Sequence, residues 1–195
     1  MTADTFRRDR FLRASGYNFY VWGVVNILVT APLLAALSGH RWPGWAEALF
    51  PIGLIVAGIA LAALNENRVE KLVGPPAEVP VVDAARLWAP LFLLAIGFTA
   101  IFLVRGPAAY VQPLWMGVIG AGYLAWGSFT IGEFRRLGAL LVAAAIVSGL
   151  AIDPGALPPG GASPFALGVW IVVTGVLWLP FGAYVNRKYV HDAAP

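Results

Sequence analysis

The sequence predicts an all-α polytopic membrane protein: a single bundle of six transmembrane helices with both termini in the cytoplasm. Three observations predict it. Of 195 residues, 59% are hydrophobic and only 12% charged, whereas a water-covered surface has about a quarter of its positions charged. The apolar residues form long continuous runs, not the alternating pattern of a β-barrel strand. The basic residues fall almost entirely on one side of those runs.

A spanning helix needs about 20 mainly apolar residues. The runs that qualify lie at about 17–38, 46–64, 85–104, 110–131, 137–152 and 164–185. The first follows Arg7, Arg8, Arg10 and Arg13 and ends near Ala36-Leu37-Ser38, so it imitates a secretory signal. Its length argues for a retained span, because a signal core has roughly 7–15 residues. The fifth run is the shortest, closed in by Arg136 and Asp153. It is expected to tilt little or to borrow Phe134 and the stems of Arg135 and Arg136 by snorkelling.

Charge sets the direction. With six spans, Arg7, Arg8, Arg10, Arg13, Arg68, Lys71, Arg86, Arg135, Arg136, Arg187 and Lys188 share one side, leaving Arg41 and Arg105 on the other. That division of the 13 basic residues makes the richer side cytoplasmic. Omitting the fifth span would move Arg187 and Lys188 outside. The aromatic residues follow the same map as an interfacial belt. Tyr17, Tyr20, Trp22, Trp88, Trp126, Phe134, Tyr184 and Tyr189 fall near the inner ends, and Trp42, Trp45, Phe102, Tyr110, Trp115 and Trp170 near the outer ends. Trp178 lies deepest.

The cytoplasmic loop at 65–84 begins with a polar stretch that extends the second helix and continues as the extended, proline-rich Gly74-Pro75-Pro76-Ala77-Glu78-Val79-Pro80. The outer loop at 153–164 is likewise broken by Pro and Gly. Small residues predict the packing. Gly16, Gly23 and Thr30 in the first span, and Gly168, Gly175 and Gly182 in the sixth, recur every seven residues and lay a flat seam along each helix. Gly53/Ala57, Gly58/Ala62 and Gly117/Ala121 have the spacing for close helix approach. The fifth span carries Ala139, Ala143, Ala144, Ala145 and Ser148 and no aromatic residue, which predicts the most protein-enclosed helix. Pro51, Pro90, Pro113 and Pro180 are expected to bend or begin their spans. One echo is visible: Val21–Asn26 resembles Val169–Thr174, and Pro32 and Pro180 follow at the same offset. It joins spans one and six rather than the two halves of a duplicated transporter.

The chain is poor in chemistry. It has no cysteine, hence no disulfide or thiolate metal site. Its two histidines, His40 and His191, fall on opposite sides, and no metal site or cofactor is predicted. No nucleotide-binding or hydrolase motif is present, and the basic excess reflects cytoplasmic loops rather than nucleic-acid binding. No ionisable residue lies in the middle of a span, which disfavours a pump or proton-coupled transporter. Two polar groupings remain. Asn26, Tyr123, Thr174 and Trp178 could line a ligand cavity, although an interhelical hydrogen bond is the simpler role for Asn26. His40, Glu47 and Asp153 form an outer polar cluster fit for acid–base work, although Glu47 also suits a helix N-terminus. Glu133-Phe134-Arg135-Arg136 reads as a tight inner turn whose arginines meet anionic lipid.

The expected function is that of a non-enzymatic inner-membrane protein, either an accessory subunit of a membrane complex or a small sensor. Its expected partners are the bilayer and other membrane subunits docked on the glycine-rich faces. Binding or transport of a small apolar or amphipathic molecule is the alternative, and an enzyme acting on lipidic substrates is the third.

Overall fold

The computed structural model describes residues 3–40, 42–73, 84–106, 108–129, 132–157, 161 and 163–188. The proline-rich stretch after Val73, Arg41, Thr130, Tyr189 and His191 lie outside the described residues. All regular structure among the described residues is helical. In order these are α1 (Ala3–Leu28), α2 (Ala31–Leu37), α3 (Gly44–Val73), α4 (Ala84–Arg105), α5 (Val111–Phe129) and α6 (Gly132–Leu150), then α7 (Pro164–Trp170) and α8 (Trp178–Asn186). A π-helical stretch, Ile171–Val176, joins α7 to α8.

Among the described residues, four stretches are long and apolar enough to cross a membrane: Gly16–Leu37, Gly44–Arg68, Leu87–Arg105 and Pro164–Asn186. α5 and α6, each of 19 residues, are not among them. α5 includes Gln112, Tyr123 and its glycines, and α6 opens on Glu133, Arg135 and Arg136.

Proline explains why the first and last spans are interrupted. A proline has no N–H and its ring collides with the carbonyl four residues back. For Pro32 that residue is Leu28, the last of α1; for Pro180 it is Val176, the last of the π-helical stretch. The echoed segments thus break at equivalent positions. Pro164 instead begins α7, with Ser163 as N-cap accepting from the Ala166 N–H at 3.3 Å. Pro51 and Pro90 lie inside α3 and α4, and helix continues on both sides of each. α3 runs through the polar stretch to Val73, so the second helix is longer than its apolar core.

The chain forms two compact units. The first gathers α1, α3 and α8. α1 runs antiparallel to α8 and their glycine seams meet: a Cβ on Gly182 would lie 2.8 Å from the Gly16 carbonyl, and one on Gly23 3.1 Å from the Gly175 carbonyl. α1 is also antiparallel to α3, with Asn65 donating to Asn18 at 3.4 Å near one end and Gly58 against Val25 and Trp22 further along.

The second unit gathers α4, α5, α6 and α7. Its centre is the α5–α6 hairpin, where Gly120 and Gly138 let two backbones touch. α4 lies antiparallel to α5 through Trp88, whose ring meets Tyr123 edge-on with centroids 5.5 Å apart. Enclosure differs from the sequence expectation. α6 buries one stripe (Phe134, Leu137, Gly138, Leu141, Ala145, Ser148) and exposes Leu140, Ile146, Val147 and Leu150. α5 is the enclosed helix, with only Ala121 and Ser128 exposed among its described side chains. Small residues permit close approach to one neighbour; they do not surround a helix with neighbours. Trp126, Trp170 and Phe134, read as belt residues, are buried, whereas Trp45 is exposed.

Candidate functional site

Asn26 stands three residues from Gly23 on α1, where the glycine seam brings α8 close. Its Nδ2 donates to the backbone carbonyl of Thr174 at 3.0 Å, and both residues are buried. The acceptor sits inside the π-helical stretch, where the wider turn displaces carbonyls from the regular α ladder and lets a side chain enter it. The two residues occupy matching positions of the sequence echo. Nearby, the Thr30 hydroxyl donates to the Ile27 carbonyl at 2.6 Å, closing the turn before Pro32.

Trp178 begins α8, buried against Phe19, with the two rings edge-on at 5.4 Å. Phe19 also meets Phe181 at 4.8 Å. Asn26, Thr174 and Trp178 therefore belong to one neighbourhood of the first unit, with the Trp178 Cβ 3.4 Å from where a Cβ on Gly23 would lie. Tyr123 belongs to the second unit, flanked by Trp88 at 5.5 Å and Phe134 at 5.7 Å.

The outer cluster divides similarly. Glu47 lies in the first turn of α3 in the first unit, where its charge meets the positive end of the helix dipole. Asp153 belongs to the second unit and caps the short turn Pro154–Ala156, accepting from the Gly155 N–H at 2.9 Å. His40, also of the second unit, is exposed after α2. Among the described residues no group of three or more His, Asp or Glu side chains could hold a metal ion.

Two polar features escaped the sequence reading. Trp115, read as an interfacial ring, donates its indole N–H to the Thr99 hydroxyl at 3.0 Å, tying α5 to α4. Gln112, in the first turn of α5, buries its side-chain oxygen without a hydrogen-bond partner. A glutamine beside Pro113 at the head of an apolar run was the available signal. Ser128 and Ser148 turn inward on their own helices, donating to the Leu124 carbonyl at 3.0 Å and the Ala144 carbonyl at 2.7 Å.

What this arrangement does chemically is hold helices together: neutral donors meet hydroxyl or backbone acceptors in apolar surroundings. No protein-family model matches the chain, and no curated protein or solved structure does.

Proposed function

We propose that this chain is a non-enzymatic inner-membrane protein of six spans with both termini cytoplasmic, serving as a subunit of a membrane complex or a small sensor. The observation that carries the reading is the bareness of α3 and α4. In each, 6% of the most apolar stretch is buried, against 44% in the last span. α3 presents Gly53 and Ala57 on an exposed face, with nothing within 4 Å of a Cβ added to Gly53. In lipid such a small-residue face admits another helix closely.

The antiparallel pairings support the topology. In the first unit, Arg68 and Lys71 end α3 and Arg187 and Lys188 follow α8, at the end where α1 begins with its arginines. In the second unit, Arg86 near the start of α4 and Arg135 and Arg136 near the start of α6 lie at the end where α5 finishes. At about 1.5 Å per residue, α5 and α6 are each long enough to cross most of the hydrocarbon core.

Native mass spectrometry after gentle extraction from the protein's own membranes tests the subunit reading. A protein partner at fixed stoichiometry is the expected result, and Gly53→Leu should strip that partner while the isolated chain stays folded. A bare monomer would overturn the obligate-subunit reading. Topology is checked separately, since the chain is free of cysteine. A membrane-impermeant maleimide should label Ala156→Cys in intact cells, and Asn67→Cys only after lysis. The reverse pattern would invert the assignment.

Binding or transport of a small apolar or amphipathic molecule is the second reading. The π-helical stretch at Thr174 favours it, since such stretches recur at functional sites. A small molecule retained through extraction would move the assignment there.

A further inference from the structure

Three asparagines mark one level of the first unit. Asn65 of α3 donates to Asn18 of α1, and Asn186 of α8 lies against Gly16 of α1. Each helix therefore contributes an amide, and none of the three is fully buried. Basic residues begin immediately beyond this tier. Arg68 and Lys71 follow Asn65 within two turns, Arg187 and Lys188 follow Asn186 directly, and all four are exposed. On α1, Arg13 precedes Gly16 by three residues, about one turn, with Arg10, Arg8 and Arg7 further along the helix. These eight cations share the end with Asp4, Asp9, Glu66 and Glu70, an excess of four positive charges (8 − 4). The opposite end of the same unit carries Glu47 and, among the described residues, no lysine or arginine.

Just inside the cations the surface turns apolar. Tyr17, Leu64 and Tyr184 are exposed there. Lys188 folds back so that its Nζ donates to the Tyr184 hydroxyl at 3.0 Å and lies 5.4 Å from the ring centroid.

We propose that this end of the three-helix unit binds the headgroup of an anionic phospholipid. Arg68, Lys71, Arg187 and Lys188 meet the phosphodiester, the asparagine amides lie at glycerol depth, and the exposed tyrosine and leucine side chains take the start of the acyl chains. Guanidinium groups pair with phosphate oxygens bidentately, and juxtamembrane cations attract anionic lipid. A free phosphate would use the cations and leave the apolar strip idle; the lipid uses both. The proposal rests on α1, α3 and the last span crossing the bilayer.

The test takes the full chain in neutral detergent with dioleoyl phosphatidylglycerol, dioleoyl phosphatidylcholine and inorganic phosphate as separate probes. Binding is read by native mass spectrometry and by the shift in thermal midpoint. Phosphatidylglycerol should bind preferentially, and R68Q/K71Q/R187Q/K188Q should weaken it by about tenfold or more. R105Q, at the end of α4 in the other unit, should leave it unchanged, and the charge-preserving R68K/R187K should retain it. Should the quadruple variant fail to fold, R187Q/K188Q replaces it with a smaller loss expected. Equal binding of the two lipids, full binding by the neutralised variants, or an equal shift with inorganic phosphate would each overturn the proposal. If the maleimide labelling contradicts the spans, the topology falls first. If the labelling holds and phosphatidylglycerol does not bind selectively, this assignment alone falls.

Discussion

Gly138→Ala is expected to cause a large loss of stability for a single added methyl. A Cβ at Gly138 would stand 2.5 Å from the Leu124 amide nitrogen and 2.6 Å from the Gly120 carbonyl oxygen. Both are backbone atoms of a helix and neither can swing aside. Relief requires pushing α6 off α5 along the hairpin that centres the second unit. Overpacking a close-packed core costs about 1–3 kcal/mol, and a clash between two backbones belongs at the upper end. The thermal midpoint in detergent should fall clearly. Gly97→Ala is the control: nothing lies within 4 Å of its added methyl, and alanine restricts the unfolded chain more than glycine does. Its midpoint should hold or rise. Equal behaviour of the two variants would mean that the α5–α6 contact is looser than described.

Asn26→Leu is the second change with a large expected effect. It removes the amide that donates to the Thr174 carbonyl and puts an apolar side chain of similar size in its place. Loss of one partner from a buried hydrogen bond costs about 1–3 kcal/mol, and interhelical hydrogen bonds in membranes average nearer 0.6 kcal/mol. The midpoint should fall by an amount between these limits. Thr174→Val keeps the backbone acceptor and should cost less. If Asn26→Leu leaves the midpoint unchanged, the hydrogen bond has no structural role and the ligand-binding reading of Asn26 gains.

The glycine seams were legible in the sequence because period seven is a geometric signal: it places Gly16 and Gly23 on one face of α1 and Gly175 and Gly182 on one face of the last span. Periodicity does not say that two seams 148 residues or more apart meet each other, and so the three-helix unit had to be seen. Asn26 was recognisable as a buried amide in need of a partner, but the partner is a main-chain carbonyl within a π-helical stretch. Residue identity carries almost no information about a main-chain acceptor. Pro180 was a visible sign of interruption, and its effect four residues upstream follows from ring geometry. Trp115 misled because an indole near a span end serves a headgroup or a neighbouring hydroxyl equally well. In the fold the neighbour is Thr99.

The pairing of α1 with α8 also imposes an order on biogenesis. Asn26 emerges from the ribosome 148 residues before Thr174. At about 5–20 residues per second, that is a wait of roughly 7–30 s. The α5–α6 hairpin closes on itself within this interval, since its two helices are adjacent in the chain. The first helix meanwhile carries an amide in its apolar face with its final neighbour not yet made. Deleting the last helical stretch should therefore leave the Asn26 amide of the first helix without the carbonyl it meets in the full chain.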